Sequence, residues 1–485
     1  MTNEREFVDS DRMTEYEALM WNIEKDPWLN ASGAALTLLD QPLDMDRFRR
    51  QMRYAVSKMP KLYQRVVPGL ARLSTPAWAP DPEFDLDYHV RQVELPDPGD
   101  ERALLDLATA LYLEPFDRTR PLWRFVAISG LEGGRGALWS ITHHVIADGI
   151  GQLRMAELYQ SLDRDEPPAP EVDLEGIIAS AVEQADIKES GGAGGEDLIT
   201  IARDTTTHLV RRQVGLARRA AGELIMWPAD PKRILGHAGS ITSLARSTAK
   251  QVLPRGEGDE SGSTLWRNRS RHRRLDHVRV RVDDLKTAGK EAGATLNDVF
   301  LAGLAEAAWR YHDERGVPVQ NFNSSFVLST RDDSKAGGNS FTPVPIQLQG
   351  RALSLRERVV GIHELTSEAR GDATRTGGLA TLSGLMNQLP TSVVTRAARS
   401  TAGRIDFATS NLRGAPFELY CAGSKVEAMI CLGPVAGTGA NITAMSYAGW
   451  FDIGIFSDPT AIEDGQAFRD HVEASFADLF AELGV

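Results

Sequence analysis

A connector rich in proline and then in glycine divides this chain into two stretches that both alternate helical and strand patterns. The connector includes the Pro-rich residues 165–170 and the Gly-rich residues 190–195. Alternation of short apolar strands with helices is typical of mixed α/β or α+β domains. We therefore predict a first domain at residues 1–164, a linker at 165–262 and a second domain at 263–485.

Hydrophobic periodicity places individual elements within the two stretches. A repeat of about 3.6 residues predicts a helix, and alternation of apolar and polar residues predicts a strand. The helical patterns lie at 48–58, 102–113, 174–188, 295–311 and 468–483. The strand patterns lie at 125–128, 137–142, 277–282, 325–329 and 341–348, and residues 411–455 are rich in strand signals. The pattern at 174–188 predicts an isolated helix within the linker.

The net charge of −13 is unevenly distributed along the 485 residues. Residues 201–281, the basic segment, contain 17 Lys and Arg against 7 Asp and Glu, so this segment carries +10 and the remainder −23. Nucleic acid is attracted by summed positive potential, so the acidic total excludes binding of nucleic acid over the whole surface. An anionic ligand would therefore have to bind at the basic segment.

Part of the basic segment, residues 210–227, has an amphipathic pattern. Its apolar positions recur at helical spacing, whereas Arg211, Arg212, Arg218 and Arg219 lie mostly on other faces. A basic amphipathic helix of this kind could lie on a membrane surface or on an acyl substrate. The alternative is a helix that packs its apolar stripe on protein and leaves its arginines in water.

Several features predict a cytoplasmic protein without a membrane span. The two cysteines, Cys421 and Cys431, are too few for a disulfide scaffold, so we expect buried free thiols. Residues 1–15 carry charges of both signs and lack the apolar core of a signal peptide. The longest uncharged run, 428–451, is interrupted by Gly and Pro, and it therefore predicts strands and turns.

The most informative segment contains two adjacent histidines, His143 and His144, at the end of an apolar strand. A short turn with Asp148 and Gly149 follows, and a helix is predicted from Ile150. Its apolar face would consist of Met155, Leu158, Tyr159 and Leu162. Adjacent strand residues point to opposite faces, so at most one imidazole faces a cleft. No nearby residue completes a metal-ligand set, whereas an imidazole in a cleft suits general-base catalysis near neutral pH.

The pattern His-His-x-x-x-Asp-Gly at 143–149 resembles the signature of CoA-dependent acyltransferases and of peptide-synthetase condensation domains. Further blocks, in the same order, are similar to those of the bacterial wax ester synthase/diacylglycerol acyltransferase family. They lie at 78–89, 115–123, 130–134, 272–274, 295–302, 329–333, 410–411 and 441–447. The resemblance covers about residues 47–458. It implies two chloramphenicol-acetyltransferase-like domains joined by a linker, with the histidine pair at their interface.

The resemblance also implies roles for the residues of the motif. His144 would be the general base, and His143 would pack or orient it. Asp148 and Gly149 would brace the turn, and an ion pair between Asp148 and Arg331 is a hypothesis. An oxyanion formed during acyl transfer needs fixed hydrogen-bond donors, and the sequence does not locate them.

Other matching residues have two interpretations each. Asn297 and Asp298 match a second family motif, but Thr295 and Asp298 also have the spacing of a helix capping box. Residues Pro121, Leu122 and Trp123 would bind substrate or would form a turn with a core tryptophan. Arg273 and Arg274, with Arg271, would hold CoA phosphates or would lie on a solvated edge strand.

The implied function is transfer of a long acyl chain from acyl-CoA, as co-substrate, to a lipid hydroxyl. The acceptor would be diacylglycerol, giving triacylglycerol, or a fatty alcohol, giving wax ester. Neither a bound cofactor nor a metal is expected, and contact with a membrane or lipid droplet would be peripheral. Two alternatives stay open because residues 13–22 and 411–416 depart from the family pattern. They are an acyltransferase or condensation enzyme for a natural-product hydroxyl, and a catalytically silent lipid-binding paralogue.

Overall fold

Helices and strands alternate along the computed structural model, which describes residues 12–68, 74–190, 262–329, 341–375 and 389–485, together with 383, 386 and 387. The helices are α1 (Glu15–Ile23), α2 (Met45–Lys58), α3 (Leu86–His89), α4 (Glu101–Leu113), α5 (Gly149–Ala156), α6 (Leu174–Ser190), α7 (Val282–Glu291), α8 (Leu296–Glu314), α9 (Leu355–Arg375), α10 (Thr391–Ala402) and α11 (Gly465–Leu483). The strands are β1 (Ser32–Leu39), β2 (Gln64–Val67), β3 (Ala77–Pro80), β4 (Val90–Glu94), β5 (Trp123–Ser129), β6 (Gly136–His143), β7 (Gln160–Ser161), β8 (Arg274–Arg281), β9 (Phe322–Ser329), β10 (Phe341–Leu348), β11 (Phe407–Arg413), β12 (Tyr420–Cys421), β13 (Ser424–Leu432), β14 (Ala440–Tyr447) and β15 (Trp450–Ser457). The predicted α/β (α+β) class is confirmed.

The first sheet has the strand order β4-β5-β6-β1-β13-β12-β7 among the described residues. Strand β1 is antiparallel to β6, with Ser32 opposite His143, and antiparallel to β13 on its other side, with Ala35 opposite Cys431. The sheet is therefore built from both halves of the chain, because β12 and β13 come from beyond the linker.

The second sheet has the order β10-β9-β11-β14-β15-β8, counting the described strands. Strand β11 runs parallel to both β9 and β14, and the remaining pairs are antiparallel. Helices α8 and α11 pack together beside this sheet, and their apolar residues, including Phe300 and Phe476, share one core with strand residues such as Ile453. These contacts form the core of the second half.

The two sheets meet along β13. The backbone carbonyl of Cys431 lies so close to Gly454 of β15 that a methyl group on Gly454 would be 2.5 Å from it. The Met429 N–H donates to the Asp452 carboxylate at 3.3 Å, and Arg279 donates to the Glu427 carbonyl at 2.6 Å. The domain boundaries predicted at residues 164 and 262 stay a prediction. The strand order shows in addition that residues 420–432 pair within the sheet of the first half.

Side-chain caps define where several helices begin. An Asp at the N-cap accepts backbone N–H bonds in α2, α4 and α11. Helix α8 begins with the predicted capping box, in which Thr295 and Asp298 bond each other's backbone N–H. A cap of this type contributes about 1 kcal/mol to stability, so the starts of these helices are encoded locally.

The beginning of the linker is bound to the first domain and does not stand apart from it. Three arginines on α2 hold it: Arg47 donates to the Arg164 and Glu166 carbonyls, Arg50 to the Ala169 carbonyl, and Arg53 pairs with Glu175. Helix α6 packs against α2 and β3. The expectation of an isolated helix at 174–188 is therefore wrong, because the arginines of α2 and the apolar side of α6 fix it to the domain.

The helix after the histidine pair is shorter than predicted. It ends at Ala156, and the chain then forms β7, which pairs with β12. Tyr159 is buried in the first-half core, but Leu162 is 68% exposed. The predicted face through Leu162 is wrong because strand pairing with the second half of the chain overrides the helical period.

Other expectations concern thiols, membrane spans and the basic segment. Cys421 and Cys431 are buried free thiols, as predicted, and burial raises the pKa of each to about 12. None of the helices in the described part of the chain combines the length and apolarity needed to cross a membrane. The amphipathic segment 210–227, with its four arginines, lies outside the described residues.

Candidate active site

His143, the last residue of β6, is fully buried and held on both ring nitrogens. The Val145 N–H donates to Nδ1 at 3.1 Å, so the ring proton lies on Nε2, which donates to the Glu24 carboxylate at 2.6 Å. The Trp21 ring packs edge-on against the imidazole, with the ring centroids 6.3 Å apart. The structure thus gives His143 a fixed position between α1 and the sheet.

Glu24 is a residue of this site that the sequence patterns did not indicate. Besides His143, it accepts from the Ala31 N–H at 3.3 Å and lies 3.9 Å from Arg118. Burial opposes the charge on Glu24, but the contacts with His143, Arg118 and Ala31 outweigh it and lower the pKa of this carboxyl. No motif surrounds Glu24, and its pairing with a histidine 119 positions away arises only from packing.

His144 directly follows β6, and its imidazole lies beside Gly33 of β1. The His144 N–H donates to the Ala31 carbonyl at 2.9 Å, and the residue is 8% exposed. Burial is the main cause that lowers the pKa of His144 to about 4. Its imidazole is therefore uncharged near neutral pH and able to accept a proton.

Gly33 and the carboxamide of Gln152 lie beside the His144 imidazole. A methyl group built on Gly33 would lie 3.4 Å from His144 Nε2 and 2.9 Å from Gln152 Nε2. Because residue 33 has no side chain, the imidazole and the carboxamide can both approach the β1 backbone, and Gln152 is too close to leave space for a methyl group. Neither Gly33 nor Gln152 was indicated by the sequence, although Gln152 lies only three positions after the signature.

Asp148 and Gly149 form the turn between β6 and α5. Asp148 is the N-cap of α5, and its Oδ1 accepts from the Gly151 N–H at 2.7 Å. A methyl group on Gly149 would be 2.8 Å from Leu412 Cδ2 on β11, so the second half of the chain packs directly on this glycine. Arg331, the hypothetical partner of Asp148, lies outside the described residues.

Tyr112 links the two halves next to the histidine strand. Its hydroxyl lies 3.0 Å from the Ser32 carbonyl and 3.1 Å from the Gly433 carbonyl, and its ring packs edge-on against Phe456. Together with the contact between Gly149 and Leu412, this places the signature at the junction of the two halves.

Pro121, Leu122 and Trp123 support the histidine strand in the structure. The Leu122 carbonyl accepts from the His143 N–H at 2.9 Å, and the buried Trp123 indole donates to the Leu62 carbonyl at 2.7 Å. The Trp123 ring stacks on His89 with the ring centroids 4.5 Å apart. Contact of these three residues with substrate stays a prediction.

Asn297 and Asp298 lie at the start of α8, within the second half. Besides its part in the capping box, the buried Asp298 accepts from Thr366 Oγ1 at 2.6 Å and pairs with His363 at 2.8 Å. Although burial acts in the opposite direction, these bonds lower the pKa of the Asp298 carboxyl. Asp298 thereby joins α8 to α9, and Asn297 lies half-buried in the same first turn. A direct part of either residue in activity stays a prediction.

Arg273 and Arg274 are engaged with carboxylates. Arg273 is buried and lies 3.5 Å from Asp458, whereas Arg274 makes two bonds of 2.8 Å to Asp276. Asp276 also accepts from Arg102 of α4 at 2.9 Å, across the junction. CoA phosphates would have to compete with these ion pairs, and the predicted phosphate contact stays a prediction.

A cavity of about 550 Å³ lies under α1, on the His143 side of the strand. Its walls include apolar side chains such as Ala18, Trp21 and Val66, with Arg65 and Arg118 also present. No Asp or Glu lines it among the described residues. A third cation, Lys25, also lines it, so the cavity combines apolar walls with positive charge. No group of three or more His, Cys, Asp or Glu side chains in the described ranges is arranged to hold a metal ion.

The sequence is also similar to a known protein family and to individual proteins. The protein-family model described as the wax ester synthase/diacylglycerol acyltransferase (WS/DGAT) catalytic domain matches residues 13–300. The family model of the WS/DGAT C-terminal domain matches residues 337–480. A Mycobacterium tuberculosis protein with the provisional name diacylglycerol O-acyltransferase is 28% identical over 485 residues, covering 98% of this chain and 93% of the relative.

Two solved structures share the fold. The wax ester synthase/diacylglycerol acyltransferase of Marinobacter aquaeolei VT8 is 19% identical with a TM-score of 0.64, covering 98% of this chain and all of its own. The first condensation domain of the calcium-dependent antibiotic synthetase is 17% identical with a TM-score of 0.57, covering 99% of this chain and 98% of its own. The predicted two-domain, chloramphenicol-acetyltransferase-like fold is confirmed.

Proposed function

Because this chain belongs to the wax ester synthase/diacylglycerol acyltransferase family and is an acyl-CoA-dependent acyltransferase, we propose that it transfers a long acyl chain to a lipid hydroxyl. The acceptor is diacylglycerol, a fatty alcohol, or both. The observation that carries this proposal is the uncharged imidazole of His144 beside Gly33 and Gln152, at the junction of the two halves.

In the proposed reaction, His144 removes the proton of the acceptor hydroxyl as its oxygen attacks the thioester carbonyl. A carbon–oxygen bond forms, and the carbonyl oxygen becomes an oxyanion. Collapse of this intermediate breaks the carbon–sulfur bond, and the departing thiolate takes the proton from the imidazolium to give free CoA. An alcohol is almost fully protonated at neutral pH, so a positioned base contributes about 10²–10⁴-fold to the rate.

The hydrogen bonds of His143 support this assignment. His143 is fixed by Glu24 and by the Val145 N–H, so it holds the end of β6 and leaves proton transfer to its neighbour. Asp148 supports the same geometry because its capping bond sets the turn that follows His144.

The decisive experiment measures ester formation by purified protein with palmitoyl-CoA and either dioleoylglycerol or hexadecanol. We expect transfer to at least one acceptor, and we expect His144→Ala to reduce kcat by about 10²–10⁴-fold. His471→Ala, which removes a partly exposed histidine paired with Glu314 on the second half, is the matched control and should keep full activity. Full activity of His144→Ala would refute the base assignment. Acyl-CoA binding without transfer by folded wild-type protein would favour the silent paralogue.

We also propose peripheral contact with a lipid surface through the basic segment. The support is its sequence alone: a net charge of +10 over residues 201–281 and an amphipathic pattern at 210–227. Cations near anionic headgroups contribute about 1 kcal/mol each. Replacing Arg211, Arg212, Arg218 and Arg219 with Glu should therefore abolish sedimentation with vesicles containing phosphatidylserine. Unchanged sedimentation would contradict the proposed lipid contact, but it would not contradict the proposed acyl transfer.

A further inference from the structure

Gln152 lies one turn into α5, and its carboxamide lies directly over Gly33 of β1. The position of a methyl group on Gly33 is 2.9 Å from Gln152 Nε2 and 3.4 Å from its Oε1. The same position is 3.4 Å from His144 Nε2. The carboxamide and the imidazole therefore approach the same point of the β1 backbone, which they can do because residue 33 has no side chain.

The carboxamide is oriented by the turn that precedes α5. Gln152 Nε2 makes a long hydrogen bond of 3.4 Å to the Ala147 carbonyl, within the signature segment. A primary amide has two N–H groups, so this bond leaves the second one to donate elsewhere. The backbone N–H of Gln152 bonds the Asp148 carbonyl at 2.7 Å, which fixes the start of its side chain in the helix.

The chemistry of acyl transfer requires a hydrogen-bond donor close to the general base. As the acceptor oxygen adds to the thioester, negative charge develops on the carbonyl oxygen within reach of the group that takes the hydroxyl proton. His144 and Asp148 are buried, so a fixed N–H there is worth more than it would be in water. Because it is already oriented, such a donor also needs no reorganisation during the reaction.

We propose that Gln152 is a catalytic residue whose Nε2–H donates to the thioester carbonyl oxygen as it becomes an oxyanion. Gln152 donates a hydrogen bond but transfers no proton, so the bonds that form and break are those given above for the acyl transfer. The inference rests on that proposed reaction, but not on the identity of the acceptor, because water as acceptor gives the same oxyanion.

The test compares Gln152→Leu with wild type in two reactions, transfer to dioleoylglycerol and slow hydrolysis of palmitoyl-CoA. Loss of one oxyanion donor costs about 10²–10³-fold in kcat where tested, so we expect losses of that size in both reactions. Gln152→Asn, which keeps an amide on a shorter chain, should recover part of the activity. Gln466→Leu, on the exposed side of α11, is the matched control and should change neither reaction.

A binding measurement separates this role from a merely structural one. An S-hexadecyl-CoA thioether lacks the carbonyl, so its Kd should be the same for Gln152→Leu and wild type. A kcat within about threefold of wild type would overturn the proposal. So would a loss of thioether affinity as large as the loss of kcat/KM. Wild-type hydrolysis that depends on Gln152, without transfer to lipid, would refute only the proposed acceptor.

Discussion

Burial sets the protonation state of the candidate base, His144. In water an imidazole has a pKa near 6.5, so it would be partly protonated at pH 6 to 7. In the folded protein the loss of solvent lowers the pKa of His144 to about 4, and the Asp148 carboxylate offsets only part of this effect. The residue is therefore ready to accept a proton over the whole physiological range.

This shift predicts the pH dependence of activity. Protonation of His144 inactivates the base, and the lowered pKa moves that loss to acid pH. We expect kcat/KM to stay level from pH 8 to about 5 and to fall with an apparent pKa near 4. Rates should be measured with circular dichroism in parallel, to show that the protein stays folded. A fall centred near pH 6.5 in folded protein would contradict the buried, uncharged imidazole.

Individual residues of the site were predictable where a local pattern carries the chemistry. His143, His144 and Asp148 stand together in seven residues, so the motif could be found without the fold. Glu24 and Gly33 could not be predicted, because they come from the C-cap of α1 and from β1 and reach the histidines only through tertiary packing. Gln152 is close to the signature in sequence, but no pattern marks it as a donor, and its approach to Gly33 beside His144 is visible only in the fold.

Among the elements, α5 and β11 depend on each other through Gly149. A methyl group there would lie 2.8 Å from Leu412, which is closer than carbon atoms normally approach. Leu412 can move only by changing its rotamer or by shifting β11. The glycine of the signature is thus required by the packing of the second half, and not by its backbone angles.

A double mutant tests this dependence. Gly149→Ala should lower stability by about 1–3 kcal/mol, as overpacking does, and should reduce activity because the turn after His144 is displaced. Leu412→Ala removes the clash, so the double variant should be less impaired than the sum of the two single changes. Melting temperature and kcat would be measured for all four proteins. Strictly additive effects of the two substitutions would show that the residues at positions 149 and 412 do not contact each other.

Element boundaries were predictable where capping residues or periodicity decide them. The capping box at Thr295 and Asp298 correctly indicates the start of α8, and the apolar face from Phe468 to Leu483 correctly indicates α11. The end of α5 was not predictable, because β7 forms only when β12 is present to pair with it. Alternating residues reveal a strand but do not identify its partner.

At the scale of the whole molecule, His277 links the two halves through ionisable groups. It lies on β8 and contacts Asp452 of β15 at 3.0 Å and Glu101 of α4 at 3.6 Å. Burial acts to lower the pKa of His277, but hydrogen bonds to Asp452 and Glu101 prevail and raise it. Arg279 also lies 3.1 Å from Asp452, so the junction contains a charged network.

This network predicts a pH-dependent difference in stability. A histidine with a raised pKa in the folded state stabilises it below the unfolded pKa of about 6.5. That contribution is lost as the pH rises through the folded pKa. His277→Gln should therefore have a lower melting temperature than wild type at pH 5.5, and the gap should narrow towards pH 9. The partly exposed His471→Gln serves as control. If the difference in melting temperature between His277→Gln and wild type stayed constant with pH, a charged His277 would be excluded.

The position of β13 has a consequence for how this protein is made. During synthesis the first 190 residues leave the ribosome long before residues 424–432, and until then β1 is an edge strand with unpaired backbone groups. The first half cannot complete its sheet as an autonomous nascent domain, so it has to wait for nearly the entire polypeptide. A ribosome stalled before residue 420 should present an aggregation-prone chain that recruits chaperones, whereas one stalled after the sheet is complete should not.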